Sequence, residues 1–216
     1  FALKSDSHPI QHFFNTHSKP SEELVLSLEK DMTVLSSSMP INACDAKEFF
    51  RGVDQGWSPI ADGVAIHRLI QSRIFECVIE KTNAERKLNA EFYVIKGEAG
   101  AGKTVLLRQI AWETMQSNLG ISIWVMSGSL LDIYLIEELC SKSGERVFLF
   151  WDDAANNAIE MNRFVTKAKQ KKLNVTIITA ERYNEWNIRC DELDEQITDK
   201  FNLTYLSESE IENLVD

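Results

Sequence analysis

Apolar residues in this chain recur with two different periods, and the changes between them mark its elements. From Ser21 to Leu35, Leu24, Leu28, Met32 and Leu35 stand at helical spacing, and Ser36-Ser37-Ser38-Met39-Pro40 breaks the run. A second helical stripe is Ile66, Leu69, Ile70, Ile74, Cys77 and Val78. Glu91-Phe92-Tyr93-Val94-Ile95-Lys96 is rich in aromatic and β-branched residues and reads as a strand. Leu106, Leu107, Ile110, Ala111 and Met115 then form the inward face of a helix, with Arg108, Gln109 and Glu113 turned away. A strand follows at Ile121–Met126, then a helix with Leu131, Leu135 and Leu139 on one face. Val147–Trp151 is apolar without alternation, as a parallel strand covered on both faces should be. Val175–Ala180 and Phe201–Leu206 are the last two strands. This alternation predicts an α/β, three-layer sandwich around a mainly parallel five-stranded sheet.

Three regions emerge from the pattern. Residues 1–84 are a polar arm, running to about Pro20, plus a small helical connector; residues 85–206 are the core. Residues 207–216 open a helical lid that the chain leaves unfinished, with Ser207 as N-cap and Glu210 completing a capping box. Lys81–Ala90 reads as a polar link into the first core strand. The chain begins without Met and stops inside the lid, so a piece of a longer protein is expected.

Chemistry concentrates in Gly97-Glu98-Ala99-Gly100-Ala101-Gly102-Lys103-Thr104, which fills the phosphate-loop pattern GxxxxGK(S/T) between a strand and a helix. Glycines let successive backbone N–H groups wrap an anion, and a helix starting near Gly102 adds its positive end. Lys103 is placed to reach the β- and γ-phosphates and Thr104 to offer a hydroxyl to Mg²⁺. With Val105, these residues are the candidate nucleotide contacts. Two acids, Asp152 and Asp153, stand at the carboxyl end of the buried strand, where open α/β sheets bind ligands. Asp152 is the candidate metal partner, through a water, and Asp153 the candidate for polarising the attacking water. Asp153 could instead cap a helix starting near Ala155.

An extra strand–helix unit lies between the phosphate loop and the acidic strand, which resembles the additional-strand branch of P-loop NTPases. The runs GEAGAGKTVLLRQIA, FLFWDD and VTIITAER together resemble the STAND class, of the NACHT and NB-ARC kind. Ala180-Glu181-Arg182-Tyr183-Asn184-Glu185-Trp186-Asn187 is most similar to the bacterial novel STAND group found in phage-defence proteins, over a region from about Asp62 onwards. The resemblance implies a role for Arg182 as a sensor of the γ-phosphate, although Ala180 and Glu181 separate it from Thr179 where family members commonly have Thr-Thr/Ser-Arg. The other reading of Arg182 is a surface cation paired with Glu181 or Glu185. The resemblance also implies adenine contacts from Ile66 or Arg68, with His67 in place of the family's glycine. Glu48–Ile60 resembles the connector before the core in the same group, with Phe49, Phe50 and Trp57 expected to pack onto the core.

On that resemblance the chain is an ATP-binding, slowly hydrolysing, Mg²⁺-dependent switch. It implies an ATP-dependent homo-oligomer with fused effector and sensor domains and a role in antiviral defence. The rival readings are a small-molecule phosphotransferase and a nucleotide-binding scaffold that does not hydrolyse. No NKxD guanine-reading motif and no LSGGQ-like signature occurs, so ATP is favoured over GTP and an ABC-type ATPase is excluded. A net charge of −10 argues against a nucleic-acid partner, and Lys167–Lys172 reads as a solvated helix end favoured by the dipole. Cys44, Cys77, Cys140 and Cys190 show no CxxC spacing; Cys77 and Cys140 read as reduced core thiols of a cytoplasmic protein. His8, His12 and His17 sit in the polar arm, where they read as surface residues ahead of metal ligands. No apolar run approaches the roughly 20 residues that span a bilayer, so no membrane partner is expected.

Overall fold

The computed structural model describes residues 10, 13–14 and 19–212. His8, His12, His17 and residues 213–216, the end of the segment expected to open a lid, lie outside them. Helix α1, Glu22–Lys30, is capped by the Ser21 hydroxyl, which accepts the N–H of Leu24, and buries Leu24 and Leu28. The helix stops at Asp31, and Met32–Val34 becomes strand β1. This differs from the single helix expected over 21–35. Met32 and Leu35 continue the helical spacing of Leu24 and Leu28 by coincidence, while Met32 and Val34 also satisfy a period of two. The neighbouring strand decides between them: β1 pairs antiparallel with the strand holding Val125, Trp124 and Ile123.

The connector holds α2, Ala46–Phe50, and α3, Ser58–Ala61. Helix α4, Leu69–Ile74, runs straight into a π-helical turn, Phe75–Ile79. The buried face is not the expected stripe: Gln71, Ile74, Phe75, Val78 and Ile79 are buried, whereas Leu69 is 69% exposed and Cys77 lies on the surface. The reading of Cys77 as a core thiol is therefore corrected. Cys140 is buried, and burial pushes its thiol up to about 12.

Strand β2, Ala90–Gly97, leads through the glycine-rich loop into α5, Lys103–Ser117. Then come β3 (Ile121–Val125), α6 (Ile133–Ser143), β4 (Val147–Asp152), a 3₁₀ turn at Ala154–Asn156 and α7 (Ala158–Lys171). The chain continues through β5 (Val175–Arg182), α8 (Tyr183–Arg189), α9 (Asp191–Asp194), β6 (Asp199–Leu203) and α10 (Glu208–Glu212). Among the described residues the sheet has six strands rather than five, in the order β1-β3-β4-β5-β2-β6, and is parallel except for β1.

The sheet separates two apolar cores, which makes the three layers. Phe92, Val94, Leu149 and Ile177 face α1, α6, α7 and α8, while Tyr93, Ile95, Phe148 and Phe150 face α4, the π-helical turn and α5. Ile10, inside the expected polar arm, is fully buried in the first core. The link before β2 is likewise not merely polar. Arg86 forms a buried ion pair with Glu91 and donates to the Val78 carbonyl at 2.8 Å. Helix α5 is covered on both sides, so Gln109, expected to face out, is buried and donates to the carbonyls of Ala65 (3.2 Å) and Ile66 (3.0 Å). Among the described residues no helix is long and apolar enough to cross a membrane.

Candidate functional site

The parallel strands deliver their carboxyl ends to one edge of the sheet, and the candidate residues gather there. Gly97 ends β2 beside Leu203, where a Cβ would sit 2.7 Å from the Leu203 carbonyl oxygen, so only glycine lets the two strands meet. Gly100 and Gly102 take φ of +77° and +87°, the left-handed region that turns the loop's N–H groups. Gly102 is also the N-cap position of α5, so its positive end faces the loop.

Lys103 Nζ lies back over the loop and donates to the Glu98 carbonyl at 2.7 Å. Burial pulls the pKa of Lys103 below its ordinary value, and Arg182 adds repulsion that Glu181, Asp152 and Glu98 only partly offset. An anion arriving here would offset both by supplying a counter-charge. Thr104 Oγ1 donates to Asp152 Oδ2 at 2.6 Å. Burial raises the pKa of Asp152, opposed by that hydroxyl and by the Asp153 N–H. A hydroxyl and a carboxylate held together beside the phosphate loop are hard oxygen donors of the kind Mg²⁺ takes, with its other ligands from phosphates and water. The residues fit that ion.

Strand β4 is placed by its neighbours: Ala180 is the register partner of Asp152, and Thr179 Oγ1 donates to the Trp151 carbonyl at 2.6 Å. Asp153 follows in a left-handed conformation, φ +59°, unusual for a residue with a side chain. Its carboxylate accepts from Asn156 Nδ2 at 2.7 Å and makes no helix-cap bond. Helix α7 starts later than expected, with Asn157 at its N-cap position.

Arg182 ends β5 and projects into the same polar cavity as Lys103, Asp152 and Asp153, a space of about 690 Å³. Its guanidinium makes no ion pair among the described residues, since Glu185 pairs with Arg189 instead. Two residues of this cavity escaped the sequence reading. Glu181 is 5% exposed, and its carboxylate accepts the N–H of Ala155 (2.7 Å) and of Arg182 (2.6 Å), tying the turn after Asp153 to the start of α8. The available signal was strand parity: Ile177, Thr179 and Glu181 share a face, so the acid falls on an inward position. Arg189 stands two turns after Arg182 on α8 and donates to Asn156 Oδ1 at 3.2 Å; the spacing Arg182, Glu185, Arg189 was the signal.

Beside the polar cavity lies an apolar one of about 730 Å³, lined by Phe49, Phe50, Val53, Pro59, Ile60, Ile66, Tyr205 and Leu206. The two share Gly100, Gly102, Thr104 and Val105. Phe49 and Phe50 thus wall this cavity, whereas Trp57 packs against Trp112 and Trp124. Tyr205 and Leu206 were expected in the last strand, but β6 begins earlier, at Asp199, and releases them. Ile66 reaches the cavity as well. Arg68 lines the cavity too, and its guanidinium donates to the carbonyls of Ala101 (3.0 Å) and Thr204 (2.7 Å) and to Glu210 (2.9 Å).

The expected capping box forms: the Ser207 N–H and hydroxyl reach Glu210 Oε2 at 2.8 and 2.9 Å. Burial works against the charged form of Glu210, but the N–H groups of Ser207 and Leu69, then Arg68 and the Ser207 hydroxyl, hold its pKa down at about 2. A carboxylate depressed from 4.5 to about 2 adds stability that is complete above 4.5 and is lost as pH falls through that window. The melting-temperature gap between wild type and Glu210→Gln is therefore expected to be full near neutrality and to narrow on acidification below 4.5, as a pH series of thermal melts would record.

A phosphate loop between strand and helix, acids on a neighbouring parallel strand and one strand between them define a P-loop NTPase of the additional-strand kind. The Novel STAND NTPase 5 family model matches residues 47–194, and the chain belongs to that family. Similar solved structures include PCH-2 of C. elegans, at 17% identity over 65% of this chain and 42% of that one, TM-score 0.42. The AAA domain of FIGL-1 in complex with ADP is similar at 14% identity, 91% and 68% coverage, TM-score 0.49. A katanin structure concerned with self-assembly is similar at 15% identity, 92% and 65% coverage, TM-score 0.46. The chain thus spans 42–68% of these three proteins' lengths. No curated protein matches it.

Proposed function

We propose that this NTPase module binds ATP with Mg²⁺ and hydrolyses it slowly, as the switch of a larger signalling or antiviral defence protein. The observation that carries the reading is the pair of adjoining cavities, one apolar and one polar, joined across the phosphate loop. A nucleotide is a molecule with one flat apolar end and one polyanionic end, and this space matches that division. The base would lie among Phe49, Phe50, Ile66 and Tyr205, with the phosphates towards Lys103 and Arg182. Adenine is favoured because the chain carries no guanine-reading motif.

Thr104 and Asp152 would hold the Mg²⁺, the latter through water, and the ion would neutralise charge on the phosphates. Lys103 leaves the Glu98 carbonyl to reach the β- and γ-phosphates. Asp153, turned out of the helix by its left-handed backbone, orients the attacking water. An ATP-dependent homo-oligomer, fused effector and sensor domains and a cytoplasmic setting belong to the same reading and rest on the family.

The differential contact a switch needs comes from Arg182, whose guanidinium makes no ion pair among the described residues and faces the phosphate end. Arg182→Ala is expected to lower affinity for a non-hydrolysable ATP analogue more than for ADP. A charge-assisted hydrogen bond is worth about 1.5–3 kcal/mol, hence one to two decades of selective loss. Paired calorimetric titrations of wild type and variant provide the check. An unchanged ATP-to-ADP affinity ratio removes the sensor, and with it the switch.

A further inference from the structure

The segment after β6 passes over the phosphate loop and forms one wall of the apolar cavity, through Tyr205, Leu206 and Ile211. One buried side chain holds it there. Arg68 is 8% exposed and Glu210 7%. The guanidinium grips three segments far apart in sequence: Nη1 donates to Ala101 O in the phosphate loop, Nη2 to Thr204 O at the end of β6, and Nε to Glu210 Oε1 on α10. The Leu69 N–H donates to the same Glu210 oxygen at 2.9 Å, and the other oxygen is taken by Ser207. A second, weaker tie is the Tyr205 hydroxyl, 3.4 Å from the Ala99 carbonyl at the surface.

Such a fork is specific to arginine, because a planar guanidinium donates in three directions and an ammonium on a flexible stem does not hold that geometry. Loss of either partner leaves a buried charge without its counter-charge, which weakens the remaining bonds of the fork together. Broken, it frees the cavity wall and the loop together.

We propose that Arg68 and Glu210 form a clasp that keeps the strap of residues 204–211 against the phosphate loop and sets the rate at which nucleotide leaves. The proposal rests on the nucleotide reading above, with the base in the apolar cavity. Both residues are positioning residues. Glu210 does not line the cavity, so its effect on the nucleotide comes through the wall and the loop that it helps to fix.

The test tracks a fluorescent ADP analogue by stopped flow on wild type, Arg68→Lys, Glu210→Gln and Ser207→Ala. Glu210→Gln and Arg68→Lys are expected to raise the dissociation rate about 10- to 100-fold with little change in the association rate, since interface losses appear mainly in dissociation. Ser207→Ala, which keeps the ion pair, should stay near wild type. Should Arg68→Lys not fold, Glu210→Gln decides alone. A folded Glu210→Gln with the wild-type dissociation rate overturns the clasp. Hydrogen exchange supplies a readout that needs no nucleotide. Glu210→Gln should lose protection at Ala101 and across Thr204–Ile211 together, and loss confined to one of the two overturns the proposal. A wild type that binds no analogue overturns the nucleotide reading, while the exchange result still rules on the clasp.

Discussion

Lys103→Ala is expected to weaken ATP binding by at least about 100-fold while the apo protein melts at nearly its wild-type temperature. The reason is in what the lysine does without ligand. Its Nζ makes a single described bond, to the Glu98 carbonyl, and burial already disfavours its charge. Removing it costs the fold little. With nucleotide bound, the same ammonium would face two phosphates, and a charge-assisted contact of about 3 kcal/mol corresponds to roughly two decades in affinity. Calorimetry with Mg²⁺ present, alongside thermal melts, separates the two effects. Unchanged affinity in the variant would leave the phosphate loop without its assigned role.

The second large effect concerns the two acids, which should fail differently. Asp153→Asn is expected to bind ATP as wild type does and to turn over about 10²–10⁴-fold more slowly, the usual worth of a positioned base. Its amide can still accept from Asn156 Nδ2, so the left-handed turn has reason to persist. Asp152→Asn should instead lose the Mg²⁺-dependent part of binding, because a neutral amide holds the metal's charge poorly and offers Thr104 a weaker partner. Phosphate-release assays and titrations with and without Mg²⁺ distinguish them. Equal loss of binding in both variants would contradict the division of labour.

Much of the centre of this fold was legible in the sequence. Strands β2 to β5 announce themselves because parallel strands buried on both faces are near-continuous apolar runs, and the loop motif requires a strand before it and a helix after it. The edges were not legible. A three-residue strand such as Met32–Val34 has too few positions to separate a period of two from one of 3.6, and only its pairing with β3 decides. Cys77 and Leu69 were misplaced because the buried face runs through Gln71, Ile74, Phe75 and Val78, also at helical spacing, and a glutamine on that face reads as an outward position. Gln109 reads as an exposed polar residue, yet two carbonyls of the segment before α4 hold it inside. At the candidate site, residues within one motif were legible in the sequence and those that act between segments were not. Glu181 acts through the N–H groups of Ala155 and Arg182, and backbone donors leave no mark in a sequence.

The strand order also has a meaning in time. Strand β2, which carries the phosphate loop, lies between β5 and β6, and both come later in the chain. A ribosome that has released the loop has therefore not yet released either neighbour that must seat it; β5 begins at Val175, β6 at Asp199. Until then Lys103 and Thr104 follow an apolar strand that has no partner, while β3 and β4 can already associate with each other. The motif earliest in the core is thus among the last to become a site. Pairing across such separations is slow because loop closure precedes the contacts that reward it. Nucleotide competence accordingly arrives with the completed sheet, and a chain stalled short of β5 carries the whole phosphate-loop sequence without the pocket it encodes.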